Sequence, residues 1–164
     1  MTINLKGELN DDMLEKLIAF YNSLKEDIAP IIMLSSNGGQ CHIAEMMKVV
    51  IESNPESKLS AYGDIQSSAV WLFFKTNCKK FLGPNCLGMF HQSYMEMDIN
   101  QSLLPNFNVD KQKSIYMKNF LLPYNEEFCK SMNFTEAEMK KYRKGDDVYF
   151  MPDRMQEFLK QREK

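Results

Sequence analysis

The first 90 residues alternate between strand-like and helix-like segments at short intervals, and this alternation limits the folds that the chain can adopt. Residues 31–34 form a continuous apolar run, which is typical of a strand that is buried on both faces. The segment after it places apolar residues at helical spacing and ends before Pro55. Because parallel strands need such crossover helices, the pattern predicts an α/β fold with repeated β-α units and a mainly parallel sheet.

Six strands are predicted from apolar runs bounded by turn residues. They lie at residues 2–7, 31–34, 58–62, 79–82, 87–90 and 148–151. Helices are predicted between them, including one across about 111–132 that Pro123 is expected to kink or divide. Thr135 and Glu138 form a capping box for a later helix, and Pro152 suits the first turn of the last helix.

The region between the fifth and sixth strands departs from this alternation. Residues 92–110 contain Pro105 and several asparagines, which indicates a loop or lid. No repeat, low-complexity segment or linker divides the sequence. We therefore expect a single domain over residues 1–164, with a helical handle or lid region at about 92–144.

The composition argues against several classes of protein. The chain is 44% hydrophobic and 26% charged, as in ordinary soluble globular proteins, and its formal net charge of −2 gives no electrostatic reason to expect a nucleic-acid partner. No apolar run approaches the roughly 18 residues of a spanning helix. The N-terminus also lacks a basic segment that leads into an apolar core. We expect neither a membrane partner nor a secretory signal.

The cysteine pattern favours reduced thiols in a cytoplasmic protein and gives no sign of a metal site, and we expect no cofactor. No CxxC pair occurs, and no cysteine has a metal-like spacing with either histidine. The four residues are Cys41, Cys78, Cys86 and Cys129. A disulfide between Cys78 and Cys86 is the less favoured alternative.

Two predicted junctions between a strand and a helix carry residues suited to chemistry. Residues 36–39 (Ser-Asn-Gly-Gly) allow positive φ angles and a close approach to a ligand, and the next helix directs N–H groups towards them. Such a turn can bind an anion or an oxyanion, although a plain structural turn is the commoner role. Ser67 stands at the next junction, where a serine is usually a helix cap and less often a nucleophile. Its neighbour Ser68 is an equal candidate on spacing alone.

The two histidines differ in their predicted positions. His91 ends an apolar strand, and catalytic groups in α/β folds often emerge at strand ends. A lone histidine is nevertheless structural more often than catalytic. His42 lies beside a predicted apolar helix face, which indicates a structural role.

These elements together resemble the proteolytic subunit of Clp protease, a serine peptidase within the broader crotonase-like fold. Residues 36–39 stand where that family has Ser-Pro-Gly-Gly, and residues 63–67 match its Gly-x-x-x-Ser element. Residues 89–92 (Met-Phe-His-Gln), preceded by Pro-Asn at 84–85, match its Met-Ile-His-Gln-like strand end. The resemblance covers most of residues 2–91 and about 145–160, and it implies a ClpP/crotonase-like fold.

The resemblance also implies a catalytic triad. Ser67 would be the nucleophile, His91 its general base, and Asp147 the acid that orients the imidazole. Asp146 is the alternative acid. The backbone N–H groups of Gly38 and Ser68 would form the oxyanion hole.

A family member of this kind is expected to act on peptides or unfolded proteins and to form a homo-oligomer, with a ring as one form of it. Docking to an AAA+ unfoldase is left open, because the chain starts almost at the first strand and the family's N-terminal axial loop is expected to be missing. The sequence also departs from the family at Asn37, where proline is usual, and at residues 68–69 and 93–97. The altered handle and the missing loop motivate one alternative, a catalytically inactive assembly or binding protein. A crotonase-like acyl-CoA enzyme is the less favoured alternative, because the chain is short for that group.

Overall fold

The computed structural model describes residues 1–25, 28–92 and 108–162. The chain divides into two compact units, one formed by Met1–Phe90 with the residues from Val148 onward, and the other by His91–Asp147. The expected handle at 92–144 falls within the second unit. The expectation of a single domain stays a prediction.

The first unit is built from alternating strands and helices, as the sequence predicts. In chain order its elements are β1 (Thr2–Leu9), α1 (Asp11–Asn22), β2 (Ile31–Gly39), α2 (Cys41–Glu52), β3 (Lys58–Gln66), α3 (Ser68–Lys75), β4 (Lys79–Leu82), β5 (Gly88–Phe90) and, after the second unit, β6 (Val148–Phe150) and α7 (Pro152–Arg162). Pro152 is the first residue of α7, which confirms its predicted position. The Asn10 side chain caps α1 by accepting from the Met13 N–H at 3.0 Å.

The strands form one six-stranded sheet in the order β1-β2-β3-β5-β6, with β4 beside the first half of β3. All pairings are parallel except that of β5 with β6, which is antiparallel. The first half of β3 pairs with β4 and its last two residues, Ile65 and Gln66, pair with β5. The mixed α/β fold and the mainly parallel sheet are therefore confirmed.

Two strands run further than the sequence predicts. Residues 36–39, expected as a turn, are the last residues of β2, and β3 continues past Gly63 to Gln66. The β2 extension pairs with Glu8 and Leu9 of β1. The register shifts on both sides of β2, because the extra backbone is absorbed in irregular pairing rather than in a turn.

The core of the first unit lies between the sheet and its helices. The helix α3 is apolar on every face and is almost wholly buried, as its sequence predicts. The largest fully buried side chains of this unit include Phe73, Phe150, Leu5, Leu9, Leu17, Ile32, Leu34, Ile43 and Met47. This packing fixes the positions of the junctions β2–α2 and β3–α3.

The second unit is helical over its described residues. It contains α4 (Val109–Tyr116), a π-helical turn (Met117–Leu121), α5 (Leu122–Ser131) and α6 (Glu136–Arg143). The π-helical turn ends at Leu121 and Pro123 is the second residue of α5, so the predicted long helix is divided close to that proline. The capping box of Thr135 and Glu138 is confirmed. Most of the expected loop or lid at 92–110 lies outside the described residues.

Candidate active site

Ser67 occupies a strained backbone position at the junction of β3 and α3. Its φ and ψ angles are 53° and −126°, and it stands at the N-cap of α3 without a capping hydrogen bond from its side chain. A non-glycine residue in this conformation costs on the order of 1–3 kcal/mol and is found mainly at functional sites. A serine on a strained turn from a strand into a helix is also the geometry of a nucleophile elbow.

Backbone hydrogen bonds hold Ser67 in this conformation. Its N–H donates to the Met89 carbonyl of β5 at 2.7 Å, and its carbonyl accepts from the Val70 N–H at 3.1 Å. The side chain is half-buried. The backbone of Ser67 is therefore held in place directly before the buried helix α3.

Ser68 uses its hydroxyl in a structural contact. The residue is buried, and its Oγ donates to the Gly39 carbonyl at 3.0 Å. The bond links the start of α3 to the end of β2. Its backbone N–H lies in the first turn of α3, where amides have no acceptor within the helix.

Gly38 lies directly against Ser67. Its φ is 92°, and a Cβ added there would stand 2.6 Å from the Ser67 Cβ and 2.7 Å from the Gln66 carbonyl oxygen. Only glycine fits this position without displacing the β3–α3 junction. The two motifs that the sequence analysis selected, residues 36–39 and Ser67, are thus brought together.

The Gly38 N–H points to a partner that the sequence analysis missed. It donates to the Ser36 Oγ at 3.1 Å in a buried environment. A serine two residues before a glycine is the spacing of a local side-chain turn, so this bond could have been anticipated. In this structure the expected oxyanion-hole donor is occupied by a side chain of its own strand.

His91 and Asp147 are the first and last residues of the second unit. His91 directly follows Phe90 of β5, and Asp147 directly precedes Val148 of β6. Phe90 and Val148 are partners in the antiparallel pairing, so His91 and Asp147 are the next residue on each strand's chain segment. His91 is half-buried and Asp147 is exposed. Asp146, the alternative acid, is one position further away, and its N–H donates to the Lys141 carbonyl at 3.1 Å.

The two buried cysteines, Cys86 and Cys129, are poor candidates for a nucleophile. All four cysteines lie within the described residues, and none forms a disulfide, which excludes the Cys78–Cys86 alternative in this structure. The buried Cys86 donates to the Gly63 carbonyl at 2.9 Å, and burial raises the pKa of its thiol to about 12. Burial likewise raises the pKa of Cys129 to about 12.

Two other kinds of site are absent from the described part of the chain. It contains no group of three or more His, Cys, Asp or Glu side chains placed to bind a metal ion. Among residues 1–25, 28–92 and 108–162, every helix is too short or too polar to serve as a transmembrane span.

Comparison with known proteins gives a result for structure but not for sequence. No protein-family model matches the chain, and no curated protein matches it. A solved structure of a ClpP1 point mutant from Listeria monocytogenes superposes with a TM-score of 0.71. The match covers 96% of this chain and 86% of that one, at 15% sequence identity. The chain therefore has a ClpP-like fold, as its sequence motifs predict.

Proposed function

We propose that this protein is a serine-type endopeptidase in which Ser67 is the nucleophile, His91 the general base and Asp147 the orienting acid. The observation that carries the proposal is the Ser67 backbone, with φ 53° and ψ −126° at the turn from β3 into α3. Strain of this kind persists where the side chain has a task that an unstrained residue could not perform. The ClpP-like fold supplies the context in which a peptidase is the first reaction class to test.

The proposed chemistry has two half-reactions, and His91 acts first as base and then as acid in each. The Ser67 Oγ attacks the scissile carbonyl carbon while its proton passes to His91. The tetrahedral intermediate collapses, the C–N bond breaks, and the leaving amine takes the proton from His91. A water molecule then attacks the acyl-enzyme with His91 as base, and release of the carboxylate product restores the Ser67 hydroxyl.

Asp147 is proposed as the acid because of its position in the chain. The register of β5 and β6 runs from the pair Gly88–Phe150 to the pair Phe90–Val148. Continued by one residue on each segment, it leads to His91 and Asp147. Asp147 stabilises the imidazolium that forms when His91 takes the proton.

The negative oxygen of the intermediate is proposed to be bound by the backbone N–H groups of Gly38 and Ser68. Gly38 lies against the Ser67 side chain, and the Ser68 N–H belongs to the open first turn of α3. Donors of this kind each contribute on the order of 10²–10³ in rate. Because both are backbone groups, side-chain truncation does not remove them.

Peptides or unfolded proteins are the proposed substrates, and a homo-oligomer the proposed state. Both proposals rest on the ClpP-like fold. Size-exclusion chromatography with light scattering at micromolar concentration tests the second: a mass several times 19.2 kDa is expected. A clean monomer would remove the oligomer from the proposal.

A fluorophosphonate probe tests the proposed nucleophile directly. The wild-type protein should form one adduct, mapped by peptide mass spectrometry to Ser67. The variant His91→Ala should lose labelling, while His42→Ala, which removes an exposed imidazole on α2, should label like the wild type. No adduct at Ser67, under conditions where a reference serine peptidase labels fully, would leave a non-catalytic assembly or binding protein as the better description.

A further inference from the structure

Gly38 lies at the end of an irregular stretch of β2, where pairing with β1 resumes, and its amide donates to a side chain. The β1–β2 register shifts between Lys6 and Glu8, and the β2–β3 register shifts between Leu34 and Ser36. Ser36 lies inside this irregular stretch and is only 2% exposed. A buried N–H in such a stretch needs an acceptor, and the Ser36 Oγ provides it at 3.1 Å.

We infer that Ser36 is a positioning residue whose hydroxyl holds the Gly38 N–H between turnovers and releases it to the oxyanion of the reaction. The inference rests on the proposed function, because it concerns the same oxyanion hole. Without an acceptor the buried amide would be unsatisfied whenever no substrate is bound. The Ser36 hydroxyl therefore keeps the Gly38 N–H hydrogen-bonded while no substrate is bound.

The exchange of acceptors is favourable in the transition state. A neutral hydroxyl is a weaker acceptor than an oxygen that carries negative charge, so the Gly38 N–H gains when it moves from Ser36 to the oxyanion. Breaking the resting bond nevertheless raises the barrier by the net strength of that bond. A net hydrogen bond of this type corresponds to roughly a 2- to 10-fold change in an equilibrium. Removing the Ser36 hydroxyl should therefore accelerate reaction at Ser67.

Diisopropyl fluorophosphate provides the test, because its phosphoryl oxygen develops negative charge as the reaction proceeds. The Ser67 Oγ bonds to phosphorus, the P–F bond breaks, and fluoride leaves while the hydroxyl proton passes to His91. The second-order rate constant for labelling is measured for the wild type and for Ser36→Ala. Two controls are Ser36→Thr, which keeps a hydroxyl, and Ser35→Ala, which removes the hydroxyl beside Gly63 instead.

The expected result is labelling of Ser36→Ala about 2- to 10-fold faster than the wild type, with both controls close to the wild type. In the same variant the Gly38 amide should exchange with solvent faster, as measured by NMR. A purely structural role for Ser36 predicts the opposite rate change, because a loosened site labels more slowly. If the wild type labels but Ser36→Ala is not faster, the inference fails alone; if the wild type does not label at Ser67, the proposed function fails and the inference with it.

Discussion

The junctions β2–α2 and β3–α3 have similar backbone geometry but are built from different residues. Each carries the chain from a parallel strand into a helix, and each contains backbone with positive φ. At the first junction the residues are glycines, Gly38 at 92° and Gly39 at 144°. At the second the residue is Ser67 at 53°. A glycine meets such angles with little strain, whereas a serine does not.

The difference indicates what each junction is for. At the first junction only backbone atoms fit, because Gly38 lies so close to Ser67 that there is no room for a side chain. The second keeps a hydroxyl at a position where glycine would be more stable. This contrast leads to the hypothesis that the Ser67 side chain has a chemical role. One prediction below tests that role, and three test the packing and the strain of the two junctions.

The largest expected effect is the loss of activity in Ser67→Ala. If the hydroxyl is the nucleophile, hydrolysis of a fluorogenic peptide should fall by about 10⁴-fold or more. The matched variant Ser68→Ala removes the neighbouring hydroxyl and its bond to the Gly39 carbonyl but keeps the backbone N–H. Its loss should stay below about 10-fold, in line with a net hydrogen bond. A greater loss of activity in Ser68→Ala than in Ser67→Ala would show that Ser67 is not the nucleophile.

The next largest effect is on stability, in Gly38→Ala. Its Cβ would meet the Ser67 Cβ at 2.6 Å, so we expect a loss of about 2–4 kcal/mol in the free energy of unfolding. Gly7→Ala is the matched control, since Gly7 also has positive φ, at 111°, but a Cβ there meets nothing within 4 Å. That variant should lose only about 1–2 kcal/mol. Equal losses, measured by urea denaturation, would show that the two junctions are not packed as described.

Replacing Ser67 by glycine should stabilise the protein relative to Ser67→Ala. Glycine removes the strain at φ 53°, so we expect a difference of about 1 kcal/mol in favour of glycine. At Glu15, an exposed position within α1, the same pair of variants should differ by about 1 kcal/mol in favour of alanine. The comparison uses thermal or urea unfolding. The same preference at both positions would mean that Ser67 is not strained.

The contrast between the junctions also marks how far sequence reasoning reaches. The alternation of strands and helices, the buried α3 and the capping signals are local patterns, and they predict the α/β fold and most element bounds. The approach of Gly38 to Ser67 depends on strand register, which no single segment encodes. The strained φ of Ser67 was missed for the same reason: it is imposed by the bond to Met89, a residue 22 positions later in the sequence.

The prediction of residues 36–39 as a turn shows a second limit. Two glycines in succession usually break a strand, yet here β2 continues through them and pairs with β1 up to the pair Leu9–Gly39. The neighbours on both sides supply hydrogen bonds that a local pattern cannot report. The motif was therefore located correctly, while its conformation was not.

The smallest expected effect separates backbone strain from electrostatics. Arg143 donates two hydrogen bonds to Glu126 in the second unit, at 2.7 and 2.9 Å, and these bonds lower the pKa of the Glu126 carboxyl. Both side chains are largely solvent-screened, so Glu126→Gln should cost less than about 1 kcal/mol at pH 7. Since the folded pKa is the lower one, this stabilisation is present above the unfolded pKa of about 4.3 and is lost as the pH falls through the folded value.

Strain at the two junctions involves no proton, so it should behave differently. The difference in unfolding free energy between Gly38→Ala and Gly7→Ala is expected to stay constant between pH 7 and about pH 3.5, while the effect of Glu126→Gln shrinks towards zero. Urea titrations of the wild type and these three variants across this range make the measurement. A junction difference that fell with pH alongside Glu126→Gln would mean that an ionised group, and not the clash with Ser67, makes Gly38 irreplaceable. The strain argument for the β3–α3 junction would then have lost its structural basis.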